Sequence, residues 1–209
     1  MIFIVGHHNS GKSTIAALLK QYGFLHIETG DIVREIHKEQ DPERKFSEWI
    51  SEMNVKESDF LNNAILEKVN ASLERIKGNP FLQDIVITGN RQIEGIEFLC
   101  KNVTEKNSNI IIYMETNTEE LYNRQLQRND RIIEGLTFEK FVNEYLAFDT
   151  EMGLEQIRAR ADVLIDSSFS VDIIFHEVVS VLSKYGFKLT ATKEKNGESI
   201  ENYNAIPLG

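Results

Sequence analysis

The sequence contains a single cysteine, Cys100, and only three prolines in 209 residues. One cysteine excludes an intrachain disulfide and a zinc site built from cysteine pairs, and it favours a reducing compartment. No stretch approaches the roughly 18 consecutive apolar residues that a transmembrane helix requires. The first residues show neither the basic region nor the long apolar run of a signal peptide. We therefore expect a cytoplasmic protein that is not associated with membranes.

Positive charge is also scarce, because 23 lysines and arginines face 33 aspartates and glutamates, which gives a net charge of −10. Non-specific nucleic-acid binding depends on neutralising phosphates, so this balance weighs against a nucleic-acid partner. The remaining composition is that of an ordinary globular protein, with 41% hydrophobic and 27% charged residues. The length suits one α/β domain.

Short apolar runs alternate with segments of helical spacing along the chain. Strands are predicted at residues 1–5, 24–27, 85–88, 109–114 and 163–165. Most are followed by apolar residues three and four positions apart, which predicts a helix after each strand. Residues 43–56 are mixed and polar and give no clear element. The alternation predicts an α/β fold, with a five-stranded parallel sheet and helices on both faces.

The first predicted strand runs directly into GHHNSGKST, residues 6–14. This is the Gly-x-x-x-x-Gly-Lys-Ser pattern in the context that it requires, with a strand before it and a helix after it. The glycines allow backbone N–H groups to turn inward, and the helix N-terminus adds positive potential at the same point. We expect the loop to bind ATP and Ser13 to bind Mg²⁺. The predicted ATP-binding residues are Gly6, Asn9, Ser10, Gly11, Lys12, Ser13 and Thr14.

Two histidines, His7 and His8, occupy free positions of this loop. No acidic residue lies near them in the sequence, so a metal site is not favoured. A contact with solvent or substrate is the main expectation. An approach of His8 to the transferred phosphate is the alternative.

The sequence lacks the Asn-Lys-x-Asp motif of a GTPase, and its third strand ends in Thr88 rather than in the Asp-Glu of a motor ATPase. It does contain a set of arginines suited to phosphoryl transfer, which requires neutralisation of the charge on the transferred group. These arginines are Arg34, Arg91, Arg124, Arg128 and Arg131. The last three are spaced four and three residues apart, which places them on one face if their helix extends that far.

Several of these residues lie in longer motifs. Residues 29–34, TGDIVR, resemble the Thr-Gly-Asp-x-x-Arg motif of nucleoside monophosphate kinases, and residues 89–91 are similar to their Asp-Gly-x-x-Arg region. Arg124 and Arg128 resemble the Arg-x-x-x-Arg of the lid, and residues 161–168 resemble the last strand and the loop that passes the adenine. Over roughly residues 1–186, the chain therefore resembles P-loop nucleotide kinases of the adenylate kinase and dephospho-CoA kinase group.

The resemblance implies an ATP- and Mg²⁺-dependent kinase. It implies acceptor contacts for Thr29, Arg34 and Arg91. We expect catalytic roles for Lys12, Arg124 and Arg128, and for Asp31 as the acid near Mg²⁺ or, if the acceptor group is a hydroxyl, as its base. We expect a kinase domain at residues 1–189, with an acceptor-binding cap at about 42–61 and a lid at about 124–150. The polar tail, residues 190–209, is either disordered or a hairpin around Asn196-Gly197.

The sequence departs from this family at two positions. Thr88 stands where the family has the Walker-B aspartate, so Asp31 or Glu115 would have to replace that acid. Residues 149–154 resemble the lid-helix segment of dephospho-CoA kinase-like proteins, but Phe148 replaces the arginine that usually precedes the aspartate. Both differences leave the usual substrate in question.

The leading hypothesis is a kinase that acts on a small nucleotide or nucleotide-like acceptor. One alternative is a dephospho-CoA kinase or a kinase of a modified base in DNA. Another, from a different class, is a regulatory nucleotide-binding ATPase. In the cap, Phe46, Trp49 and Phe60 are expected either to stack on a base or to form a small core of their own.

Overall fold

The computed structural model describes residues 1–56, 58–103, 108–128 and 133–189. Its centre is a five-stranded sheet in which all pairings are parallel, in the order β2-β3-β1-β4-β5. The strands are β1 (Ile2–Val5), β2 (Phe24–Glu28), β3 (Asp84–Thr88), β4 (Ile110–Glu115) and β5 (Val163–Asp166). The predicted fold class and the five predicted strands are confirmed.

Helices connect successive strands and cover both faces of the sheet. The first half of the chain contributes α1 (Lys12–Leu19), α2 (Thr29–Gln40), α3 (Phe46–Lys56), α4 (Ser58–Lys77) and α5 (Ile93–Asn102). The second half contributes α6 (Thr118–Gln127), α7 (Phe138–Lys140), α8 (Ala147–Glu151), α9 (Leu154–Ala159) and α10 (Val171–Lys184).

Two apolar clusters fill the space between the sheet and its helices. Alternate residues of β1 serve opposite clusters, since Phe3 packs with α4, α5 and α9, whereas Ile4 packs with α1 and α10. Successive side chains of a strand point to opposite faces, which explains the near-continuous apolar sequence of this central strand. Burial on both sides makes β1 a rigid support for the loop that follows it.

Helix boundaries differ from the sequence-based expectations at three points. The helix α3 forms where no element was predicted, because Trp49, Ile50 and Met53 bury one of its faces against Val33 of α2 and Leu61 of α4. The sequence predicts Thr118 as the N-cap of α6, but Asn117 caps this helix, and its side chain accepts a hydrogen bond from the Glu120 N–H at 2.8 Å. The same helix ends at Gln127, so Arg128 follows it in extended conformation.

The helix that carries the lid aspartate contains an irregular turn. A π-helical segment, Phe141–Leu146, joins α7 to α8 without a break. Such wide turns occur mostly as single insertions in α-helices and often lie near functional sites. Here the segment leads directly to Asp149 in α8.

Some expectations fall outside the described residues. These are the position of Arg131 and the hairpin predicted around residues 196–197. In the part of the chain that the structure describes, no helix combines the length and apolar character needed to span a bilayer.

Candidate active site

The loop after β1 has the backbone conformation of an anion-binding turn. Gly6 and Gly11 adopt positive φ angles of 146° and 90°, and Asn9 lies between them at 64°. A Cβ atom at Gly6 would stand 2.6 Å from the carbonyl oxygen of Met114 in β4, so a larger residue is excluded there. The loop thus wraps closely around the end of the sheet and leads into α1 at Lys12.

Lys12 is partly buried and points back into the loop. Its Nζ atom donates to the carbonyl oxygen of His7 at 2.5 Å and to Ser10 Oγ at 3.2 Å. Burial, which disfavours the ammonium form, lowers the pKa of Lys12 to about 8. At neutral pH the side chain is still mainly protonated, so a positive charge lies within the cradle of N–H groups.

Two arginines reach this loop from the end of α6, and both contact Asn9. Arg128 NH1 donates to Asn9 Oδ1 at 3.0 Å, and Arg124 NH1 donates to the Asn9 carbonyl at 3.3 Å. Arg124 also binds Glu120 and the carbonyl oxygen of Ser167, which follows β5. Although α6 ends before Arg128, the structure brings the two predicted lid arginines together at the phosphate loop.

A buried carboxylate, Asp149 of α8, faces the two loop histidines. It accepts hydrogen bonds from the His8 backbone N–H at 2.9 Å, from His8 Nδ1 at 3.1 Å and from His7 Nδ1 at 3.3 Å. Arg91 NH1 lies 2.5 Å from its Oδ1 atom. The histidines therefore have an acidic partner, which is distant in sequence but adjacent in space.

The electrostatics of this cluster favour a charged Asp149 and a neutral His8. Burial alone would raise the pKa of Asp149, but hydrogen bonds from His7 and His8 and the charge of Arg91 lower it well below its usual range. Burial lowers the pKa of His8, although Asp149 opposes that shift. The guanidinium of Arg91 also lies 5.4 Å from the ring centroid of Phe148, so the residue that replaces the usual arginine provides an aromatic face for Arg91.

Glu28, at the end of β2, is the acid that contacts Ser13. The register pairs Glu28 with Thr88 of β3. Glu28 Oε2 accepts hydrogen bonds from Thr88 Oγ1 at 2.6 Å and from Ser13 Oγ at 3.2 Å. His26 Nε2, 2.7 Å from Thr88 Oγ1, completes the chain of hydrogen bonds. Sequence reasoning missed Glu28, although it directly precedes the Thr29 motif at the carboxyl end of a parallel strand.

The predicted acceptor residues occupy the adjacent edge of the sheet. Thr29 is buried at the start of α2, and Asp31 is exposed and pairs with Arg34 at 2.6 Å. Asp31 thus has an arginine partner rather than the Ser13 contact that Glu28 makes. Glu115, the other acid considered, pairs with Arg158.

Trp49 belongs to the core of the cap. It is 4% exposed and packs with Val33, Met53 and other apolar residues, and its ring centroid lies 5.1 Å from that of His37. Phe60 is 43% exposed. Of the three aromatic residues considered for stacking on a base, Phe46 lines the cavity at the carboxyl edge of the sheet.

One cavity of about 1080 Å³ connects these groups. Its lining includes residues from the phosphate loop, from the acceptor motifs and from the lid. Examples are Lys12, Ser13, Thr29, Arg34, Arg91, Arg124 and Arg128. The predicted site residues, drawn from distant parts of the sequence, therefore share a single cleft at the carboxyl edge of the sheet.

Residues 5–136 match the AAA_17 family, which is described as an AAA domain. This range is more than half of the chain. The chain belongs to this family.

Several proteins with related sequences or structures are kinases. The UMP-CMP kinase of Homo sapiens is 26% identical over 207 residues, and the alignment covers 89% of this chain and 98% of the human protein. Shikimate kinase from Bacteroides thetaiotaomicron has a TM-score of 0.55 at 15% identity, covering 88% of this chain and 96% of the other. A gluconokinase from Sinorhizobium meliloti 1021 has the same TM-score and identity, covering 88% and 91%.

The two structural neighbours share so little sequence with this AAA_17 protein that they establish the fold alone. The family match and the human relative confirm the predicted class of P-loop phosphotransferase.

Proposed function

We propose that this protein transfers the γ-phosphoryl group of ATP to a nucleotide-like acceptor. The observation that carries the proposal is the shared cavity, which extends from Lys12 in the phosphate loop to Thr29 and Arg34 on the acceptor side. Two ligands must meet in one water-poor space for direct transfer, and a continuous cleft between two sets of charged groups meets this requirement.

The phosphate loop, Lys12 and the lid arginines form the ATP side. Backbone N–H groups and the N-terminus of α1 bind the phosphates, while Lys12 and Arg128 neutralise the charge that spreads over the transferred group. The Nζ contact with His7 supports this role, because it holds the ammonium inside the loop before ATP arrives. Arg124 connects the loop with the carbonyl of Ser167, beside which the adenine would pass.

Ser13 and Glu28 fit the requirements of a magnesium site. Both offer hard oxygen ligands on neighbouring elements, 3.2 Å apart. Mg²⁺ is usually held by one or two protein oxygens together with substrate phosphates, so a small protein contribution suffices. When bound, the ion would neutralise the β- and γ-phosphates. Glu28 thereby supplies the carboxylate that is missing at position 88, and Thr88 and His26 orient this carboxylate.

On the acceptor side, polar side chains from three elements converge. Thr29, Arg34 and Arg91 lie in the cavity with Asn62 and Asn90. Within the described part of the chain, Asn90 Oδ1 is buried without a hydrogen-bond partner. An unsatisfied buried carbonyl is costly, so a donor from the acceptor molecule would relieve it. This supports an acceptor that carries N–H groups, as a nucleobase does.

The proposal is tested by turnover of ATP in the presence of a panel of nucleosides, nucleoside monophosphates and dephospho-CoA. ADP release that depends on one of these acceptors, with label from γ-labelled ATP in the product, supports a kinase. ATP hydrolysis that no acceptor stimulates would support the regulatory ATPase instead. A Lys12→Ala variant serves as the control for contaminating kinases.

A further inference from the structure

The His8 ring is held in one tautomer at the edge of the cavity. Its Nδ1 atom lies 3.1 Å from Asp149, whose ionised carboxylate only accepts hydrogen bonds. Its Nε2 atom lies 2.8 Å from Arg91 NH2, which only donates. Arg91 NH2 also lies 3.3 Å from Nδ1, but its shorter contact with Nε2 and the carboxylate at Nδ1 favour a proton on Nδ1 and a lone pair on Nε2. His8 stands in the phosphate loop and lines the cavity in which the two ligands are proposed to meet.

The arginines of the acceptor side each have a carboxylate of their own. Arg34 pairs with Asp31 at 2.6 Å, and Arg91 pairs with Asp149 at 2.5 Å. The second pair includes a carboxylate that is only 1% exposed, and breaking a buried pair is strongly unfavourable. Such neutralised arginines are poorly suited to a phosphate acceptor, which carries close to two negative charges. They are compatible with an uncharged acceptor group.

We propose that the acceptor atom is the oxygen of a hydroxyl group and that His8 is its general base. This inference rests on the proposed kinase function and narrows its acceptor. As the hydroxyl oxygen bonds to the γ-phosphorus, Nε2 takes its proton. The bond between the γ-phosphorus and the β,γ-bridging oxygen breaks, and ADP leaves with that electron pair. The products are a phosphate monoester and ADP, and the proton then passes from His8 to water.

Asp149 acts through His8 as a positioning residue. Its carboxylate fixes the ring orientation and stabilises the imidazolium that forms, as the aspartate of a Ser-His-Asp triad does. The hydroxyl of the acceptor replaces the Arg91 N–H that Nε2 binds in this structure, while Arg91 keeps its contact with Asp149. Burial lowers the pKa of His8, as do the charges of Arg91 and Lys12, whereas Asp149 raises it. The imidazole is therefore unprotonated at neutral pH, as a base must be.

The first test identifies the bond formed in the product. A nucleoside monophosphate offers both a phosphate and free hydroxyls, so one substrate distinguishes the two outcomes by phosphorus NMR. A new phosphate monoester supports the inference, as does turnover of nucleosides or dephospho-CoA. A new phosphoanhydride would overturn it but leave the kinase function intact. No transfer to any acceptor would contradict the proposed function and this inference with it.

The second test uses three variants. His8→Gln should lower kcat about a hundredfold, a usual contribution of a general base, and change the ATP KM less than about threefold. His176→Gln is the control, because His176 is exposed on α10 and is not among the residues lining the cavity. We expect its loss of kcat to stay below about threefold.

The pH profile separates proton transfer from a purely structural role. In the wild type, kcat/KM should fall as pH drops through the pKa of His8, because imidazolium cannot accept a proton. Asp149→Asn should move this acid limb to lower pH, since Asp149 raises the pKa of His8. His8→Gln should abolish the limb. Near-normal turnover of His8→Gln, or an acid limb that persists in this variant, would show that His8 is not the base. Circular dichroism would verify that each variant is folded.

Discussion

Glu28 accepts a hydrogen bond from the hydroxyl of Ser13 at 3.2 Å, across a separation of 15 residues. The contact arises because the carboxyl ends of β2 and β1 lie on the same edge of the sheet, with only β3 between them. The strand that intervenes ends in Thr88, which donates to the same carboxylate oxygen. An acid on the neighbouring strand thus reaches the position that the missing aspartate would occupy.

Replacement of Glu28 by glutamine should impair the use of Mg²⁺. The amide keeps the shape of the side chain but removes the charge that complements the cation. We expect activity at limiting Mg²⁺ to fall about 10- to 100-fold, the usual range for residues that support a metal site. Initial rates measured over a series of Mg²⁺ concentrations would show this as a higher requirement for the ion.

Asp31→Asn is the matched control for this experiment, because Asp31 is exposed and pairs with Arg34. An exposed ion pair contributes little to stability, so the variant should remain folded. If Asp31→Asn raises the Mg²⁺ requirement and Glu28→Gln does not, Asp31 is the acid, as the sequence alone indicated.

Lys12→Ala should retain the fold and lose phosphoryl transfer. Loss of one group that stabilises developing charge typically lowers kcat by about 10²- to 10³-fold. Single-turnover rates with γ-labelled ATP and the identified acceptor would measure the loss, and far-ultraviolet circular dichroism would verify the fold. Wild-type turnover in a folded Lys12→Ala protein would exclude the assignment of the phosphate loop.

Lys12 should also destabilise the ATP-free protein in a pH-dependent manner. The pKa of Lys12 is about 8 in the folded protein, whereas the ordinary value for lysine, which applies to the unfolded chain, is 10.5. Between these pH values the unfolded chain therefore binds more protons than the folded protein does. Stability of the wild type therefore rises over this window. A Lys12→Met variant should be more stable than the wild type at pH 7, and the difference should shrink between pH 8 and 10.5. Urea unfolding of both proteins at several pH values would measure it.

Substitutions of Arg34 and Arg128 should affect different kinetic constants. Arg34 lines the acceptor side, where its contacts exist before transfer, so Arg34→Ala should mainly raise the acceptor KM. Arg128 donates to Asn9 at the phosphate loop and is placed to stabilise the transferred group, so Arg128→Ala should mainly lower kcat. Steady-state kinetics with the identified acceptor would compare them. Changes confined to the ATP KM in both variants would contradict the division into two sides.

Local sequence patterns were sufficient for the sheet and for the phosphate loop. The strands are short apolar runs bounded by glycine or polar residues, and the loop carries its information in consecutive positions. Helix α3 was missed because its sequence is mixed and polar, and the apolar partners of Trp49, Ile50 and Met53 lie on other helices, α2 and α4.

The site was predictable only where a motif is contiguous. The motif at residues 29–34 identifies the acceptor region. The contact of Glu28 with Ser13, in contrast, depends on the order of the strands in the sheet, which local sequence patterns do not specify. The pairing of Asp149 with His8 spans 141 residues and depends on the path of the lid helix. The sequence therefore identified the phosphate loop and the arginines, but neither Glu28 nor the contacts between groups that are distant along the chain.

The π-helical segment, Phe141–Leu146, determines the direction in which the later side chains of the same helix point. One residue of an α-helix corresponds to a turn of about 100°, and a wide turn accommodates one extra residue. If the segment wound as a regular α-helix with the same number of residues, the residues that follow it would be rotated by about that angle. Asp149 would then point away from the histidines, and Phe148 away from Arg91. The wide turn thus sets the orientation of the lid helix toward the phosphate loop, so substitutions that favour regular α-helical winding in this segment would disable the site without altering any of its residues.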